Sequence, residues 1–196
     1  MVNEASEGEQ SSSRRGLLLA AGAGIAGAAG LGLAVAGCGK ESIKQQVHNS
    51  KPVLNTDVDI LNRLLHLEHV AIAAYTAGTP LLGPTMAKAA ALFLNDELSH
   101  AGDLAGLIRE TGAKPIKPAP SYELGHPRNA EEVLMLLHRV ERAQIAGYLN
   151  AITLLEPGVV KQQVCSILAN DAQHVAVVRL ALGRPAIPSA FVTGRE

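Results

Sequence analysis

Leu67-Glu68-His69-Val70-Ala71-Ile72-Ala73-Ala74-Tyr75 and Val140-Glu141-Arg142-Ala143-Gln144-Ile145-Ala146-Gly147-Tyr148 follow one pattern, Glu-x-x-x-Ile-Ala-x-Tyr. Positions four and seven apart share a helix face, so each copy sets a carboxylate, an isoleucine and a tyrosine on one stripe. After each copy comes an acid-x-x-His step, Glu97-Leu98-Ser99-His100 and Asp171-Ala172-Gln173-His174. Glu68 precedes His100 by 32 residues and Glu141 precedes His174 by 33. The chain therefore repeats itself, and each half supplies one glutamate, one tyrosine, one further acid and one histidine. Two helical hairpins related by a pseudo-twofold would bring these halves face to face.

The flanking sequence extends each motif into a long amphipathic helix. The first is expected from about Thr56 to Thr76, with Leu61, Leu64, Leu65, Glu68, Ala71, Ile72 and Tyr75 inward. Gly78, Pro80, Gly83 and Pro84 break it. The second runs from Pro84 to Glu110, stopped by Gly112, with Ala90, Phe93, Leu94, Glu97, His100, Ala101, Leu104 and Ile108 inward. Asn129 and Glu132 form a capping-box start for the third, which runs to about Leu155 with Leu134, Leu137, Glu141, Ile145 and Tyr148 inward. Pro157 opens the fourth, which turns Val164, Ile167, Leu168, Asp171, His174, Val175 and Val178 inward and ends at Gly183 and Pro185.

Connection lengths select the topology. The short first and last breaks make antiparallel hairpins. The proline-bearing stretch 113–128 can span about 50 Å extended, longer than the roughly 40 Å of the second helix. It can cross the whole bundle and start the third helix at the far end.

An acid and an imidazole at i and i+3 share a helix face and can reach one cation. Two such helices, plus a lone Glu from each of the others, give four carboxylates and two neutral imidazoles. Two divalent ions would nearly balance that charge and remove much of its burial penalty. Mixed oxygen and imidazole donors suit Fe or Mn, with Zn also compatible. The competing reading is a metal-free bundle whose six groups form a fully hydrogen-bonded polar network.

This set of motifs, over Asn55 to Gly183, resembles the ferritin-like di-metal carboxylate proteins. The resemblance implies an all-α, ferritin-like four-helix bundle of two antiparallel hairpins joined by a long crossover, over residues 55–184. It implies two non-haem metal ions, iron foremost and manganese as the alternative, with Glu68, Glu97, His100, Glu141, Asp171 and His174 as ligands. Glu97 and Asp171 would bridge, Glu68 and Glu141 would be terminal, and Tyr75 and Tyr148 would donate hydrogen bonds to carboxylates as in rubrerythrin-like sites. The bland reading makes each tyrosine a core residue with a satisfied hydroxyl. Asp171 is one methylene shorter than the family's usual Glu. Rubrerythrins carry a further carboxylate where this chain has Gln144, and no Cys-x-x-Cys pair is present, which argues against a full rubrerythrin peroxidase. The implied chemistry is reaction with peroxide or oxygen, or ferrous iron oxidation. Non-enzymatic metal binding in a stress-protective role, or a metal-free scaffold, are the alternatives.

Other polar residues read more plainly. His66 and His69 lie off the inward stripe, and His138 reads as a boundary residue. Cys165 sits beside the core stripe as a small apolar residue. Arg63, Arg139, Arg142 and Arg179 are expected on solvated faces.

The first 38 residues read as an address. Ser13-Arg14-Arg15-Gly16-Leu17-Leu18 opens a Gly/Ala-rich apolar run that ends at Val35-Ala36-Gly37-Cys38. This resembles a twin-arginine signal with a lipobox, in which Cys38 becomes the lipidated first residue. A retained transmembrane helix is the alternative. Residues 39–54 lack an apolar period and read as a flexible tether, and residues 185–196 as a C-terminal tail. The expected place is the cell envelope, lipid-anchored outside the cytoplasm. A net charge of -1 gives no basic surface for nucleic acid, and a homodimer is left open. Two cysteines, one of them Cys38, give no disulfide framework.

Overall fold

Residues 55–196 apart from Pro157 are described by a computed structural model, and the expected signal and tether lie outside them. Four helices form: α1 Asn55–Gly78, α2 Pro84–Glu110, α3 Ala130–Leu154 and α4 Val159–Ala181, with a 3-10 turn at Thr79–Leu81. No strand occurs among the described residues, and the architecture is an all-α four-helix bundle. No helix among them is long and apolar enough to cross a membrane.

The helix ends follow local chemistry. Gly83, in an extended conformation, precedes Pro84 at the first helical position of α2. Gly112, at φ +81, supplies the left-handed residue that stops it. The Asn129 side chain accepts from Glu132 N at 3.0 Å, and Glu132 reaches back to Arg128 N at 2.8 Å, one residue before the usual capping-box position. α1 runs two residues past the expected Thr76, and Thr79 Oγ1 then donates to Tyr75 O at 2.6 Å.

Contacts between helices give their directions. Tyr75 meets Phe93 edge-on while Glu68 meets His100, so α1 and α2 are antiparallel. His138 meets Arg179 while Glu141 meets His174, so α3 and α4 are antiparallel as well. The crossover then runs along α1. Ile116 N donates to Asn62 Oδ1 at 2.9 Å near one end, the Tyr122 ring lies 6.0 Å from His66, and Val133 of α3 packs on Gly78 at the other end. Helices α1 and α3 pack closely, whereas α2 and α4 approach each other less.

Two apolar clusters hold the bundle, and the ionisable residues lie between them. Leu61, Leu64, Leu104, Ile108 and Val164 belong to one, and Ala71, Ala90, Val133, Leu137 and Val178 to the other. Where α1 and α3 approach, a Cβ on Gly147 would stand 2.4 Å from Leu67 Cδ1, so the Leu67 side chain would have to move to admit one. Gly147→Val is expected to destabilise the fold by about 1–3 kcal/mol through overpacking. Denaturant unfolding measures this, and an unchanged midpoint would show that the two helices can part there at no cost.

Three expectations are corrected. Cys165 is exposed, one residue off the buried Val164 and on the outer face of α4. Arg179 is buried, because the chain after α4 folds back and Pro185 O accepts from its Nε at 2.7 Å. His138 is buried beside it rather than at the boundary. Ile72, Phe93, Leu94 and Leu168 are half-buried rather than central.

Candidate metal centre

All six candidate residues converge on one layer of the bundle. Glu68, Glu97, Glu141 and Asp171 are fully buried, His174 nearly so, and the His100 side chain keeps 11% exposure. Two overlapping groups result: Glu68, Glu97 and His100 on one side, and Glu97, Glu141, Asp171 and His174 on the other. Glu97 belongs to both and offers a different oxygen to each. Its Oε1 lies 3.2 Å from His174 Nδ1, and its Oε2 lies 3.9 Å from His100 Nδ1. Glu68 Oε2 is 3.6 Å from His100 Nδ1, and Glu141 Oε1 is 3.3 Å from His174 Nδ1. Asp171 reaches across, with Oδ1 3.5 Å from His100 Nδ1.

The repeat explains how the glutamates are held. The Tyr148 hydroxyl donates to Glu68 Oε1 at 2.5 Å, and the Tyr75 hydroxyl donates to Glu141 Oε1. Each tyrosine thus serves the glutamate of the other repeat, as a pseudo-twofold between α1 and α3 requires. Burial, with the adjacent glutamate charge, raises both phenols well above their usual range, so they stay protonated and donate.

Without a cation the layer satisfies its charge with protons. Burial, then the charges of Glu68, Glu97 and Glu141, pushes the Asp171 carboxyl up to about 10. Burial likewise raises Glu68 to about 8 and Glu141 to about 7. Burial opposes the charged form of Glu97 too, but His100, His174 and a hydrogen bond from Gln144 outweigh it and hold this carboxylate low. Burial also disfavours charge on the imidazoles, yet their carboxylate neighbours raise His100 to about 10 and His174 to about 11.

Several inward atoms are buried with no hydrogen-bond partner: both Asp171 oxygens, Glu141 Oε2 and His100 Nδ1. A buried polar network would satisfy such atoms, since each one left bare costs about 1–3 kcal/mol. Cations would use all of them and displace the protons. The donor set therefore fits a pair of metal ions.

Three contributors were not anticipated from the sequence. Gln144, noted only as a missing carboxylate, donates from Nε2 to Glu97 Oε2 at 2.7 Å and to Glu68 Oε2 at 3.2 Å. Asp96 Oδ2 lies 3.2 Å from His174 Nε2, which fixes that ring with Nδ1 facing the carboxylates. Phe93 stacks on the same imidazole with centroids 4.1 Å apart. A finer alignment of the repeats exposes Asp96, because Asp96-Glu97-x-x-His100 matches Asn170-Asp171-x-x-His174. His66 and His69 lie outside the cluster.

Comparison with known proteins agrees with this fold. No curated protein matches the chain. A crystal structure of a conserved hypothetical protein from Mycobacterium tuberculosis is similar in fold, with a TM-score of 0.63 and 20% identity over 69% of this chain and 96% of that one. The model of the ferritin-like domain matches residues 56–184. The chain belongs to the ferritin-like domain family.

Proposed function

We propose that this domain holds a dinuclear non-haem centre of iron or manganese and uses it to consume peroxide or oxygen, or to oxidise ferrous iron. The observation that carries this reading is Glu97, whose two carboxylate oxygens face opposite imidazoles. In this assignment Glu97 would be shared by two ions, Glu68 and His100 would hold one, and Glu141 and His174 would hold the other. Asp171, whose oxygens have no other partner, is a ligand between them. Bound iron or manganese would supply one-electron redox steps and Lewis acidity. The chain's own residues set the frame: Tyr148 and Tyr75 orient the terminal glutamates, Gln144 pins Glu68 against Glu97, and Asp96 orients His174.

The two positions differ in access, and this favours a division of labour. His174 is 1% exposed under the stacked Phe93, whereas His100 opens toward solvent. The sealed position is the structural one, and small oxidants enter at the His100 side. Anaerobically Fe(II)-loaded protein is expected to consume peroxide or oxygen much faster than free Fe(II) in the same buffer. Stopped-flow absorbance and an oxygen electrode measure this. Rates equal to free iron would leave a metal-binding protein without redox turnover.

Placement outside the cytoplasm, anchored by lipid on Cys38, is part of the same proposal and rests on the Arg14-Arg15 signal and the small residues before Cys38. Cys38→Ala is expected to stop lipid attachment and signal removal. Intact mass spectrometry would then read an unprocessed chain, whereas a variant processed like the wild type would rule out the lipobox.

A further inference from the structure

At the end of the bundle where α3 begins and α4 ends, a second ionisable cluster has no role in the metal layer. Arg179 is 7% exposed and His138 is 5% exposed. A guanidinium carries five N–H donors. In Arg179, Nε is taken by Pro185 O at 2.7 Å and one Nη1 donor faces His138 Nε2 at 3.5 Å. The others find no protein acceptor among the described residues. Arg142 Nε is also buried with no partner. Arg142 follows His138 by one helical turn on α3, and Arg184 N donates to Arg179 O at 2.9 Å, which brings the three arginines to this end of the bundle. Burial, then the charges of Arg142, Arg184 and Arg179, lowers His138.

Among the described residues no carboxylate forms a salt bridge with Arg142, Arg179 or Arg184. The arginine salt bridge found among the described residues is that of Arg128 with Glu132, at the start of α3. Glu196 is the acidic group whose charge reaches His138, but its Oε1 accepts from Thr193 N and Oγ1, and its Oε2 is buried without a partner. Burying an unpaired cation costs several kcal/mol, so buried Arg179 and half-buried Arg142, with exposed Arg184 at the same end, call for an anion. Planar guanidinium forks match the oxygens of a phosphate group.

We propose that Arg142, Arg179 and Arg184, at the end of the bundle beside His138, form a binding site for a phosphate group. The C-terminal tail frames it. Gly194, at φ +75, lies against α3 so closely that a Cβ would stand 2.6 Å from Arg142 O. The same tail leaves Ile187 and Phe191 about four-fifths exposed, and Leu180 at the end of α4 is exposed as well. The phosphate group has two sources, free inorganic phosphate and the headgroup of an anionic phospholipid, and the exposed apolar side chains bear on the second.

Full-length protein in detergent, titrated calorimetrically with inorganic phosphate at constant ionic strength, tests the first source. Flotation with phosphatidylglycerol against phosphatidylcholine vesicles tests the second. Each is run beside Arg142→Gln/Arg184→Gln, which shares the wild-type N-terminal segment. Arg184→Gln alone, at an exposed position outside the metal centre, guards against misfolding. The expected result is at least a tenfold loss of phosphate affinity in the double variant, or loss of its preference for phosphatidylglycerol, with metal content unchanged. Phosphate binding alone assigns the free ion, and selective flotation alone assigns the headgroup. Wild type and both variants behaving alike in both assays would overturn the site, whatever the metal centre does.

Discussion

Glu97→Ala is expected to empty both metal positions, taking the chain from about two ions to near none after anaerobic Fe(II) reconstitution. The reason is the sharing of one carboxylate between two clusters, with Oε1 toward His174 and Oε2 toward His100. Glu68 and Glu141 each face one imidazole at these distances, so Glu68→Ala and Glu141→Ala should each clear mainly their own side. The comparison discriminates between readings, since removing any buried ligand can lower affinity by disturbing its neighbours. Elemental analysis of the three variants, with melting curves to establish folding, gives the answer. If Glu97→Ala retained as much metal as Glu68→Ala, Glu97 would not be the bridge.

The second large effect changes sign with the metal. Asp171→Asn is expected to raise the melting temperature of metal-stripped protein and to lower that of loaded protein. In the stripped bundle both Asp171 oxygens are buried without partners, beside Glu68, Glu97 and Glu141. To sit there the carboxyl must take up a proton, and its neutral isostere removes that cost, for a gain of about 1–3 kcal/mol. At this chain length each kcal/mol moves the midpoint by roughly 2–4 °C. In loaded protein the same change removes a ligand charge, and stability linked to metal binding falls with affinity. Scanning calorimetry with and without metal reads both signs. Destabilisation in both states would make Asp171 an ordinary packing residue.

The fold was legible because helical spacing, prolines and glycines are local signals. The three- and four-residue periodicity around Glu68 and Glu141 located the buried stripes, and the long stretch before Asn129 implied the crossover. The six ionisable residues that meet in the centre were legible for the same reason, being at the middle of each stripe. Errors fell at stripe edges and in long-range contacts. Periodicity places Val164 inward, but whether burial extends to its neighbour Cys165 depends on how closely the adjacent helices approach, which periodicity does not fix. Arg179 is buried by Pro185 and the chain beyond it, a return path without sequence period. Gln144 was read as a deficit because only carboxylates were counted, although an amide at that place can donate where a carboxylate cannot. Its counterpart in the first repeat is Ala71, so the pseudo-twofold is broken at that point and again where Asp171 matches Glu97.

The most direct test of a dinuclear centre is metal content by mass spectrometry on full-length protein purified without chelator. About two Fe or Mn per chain is the predicted result. No bound metal, even after anaerobic Fe(II) reconstitution, would contradict the account and leave the six residues as a proton-sharing core network.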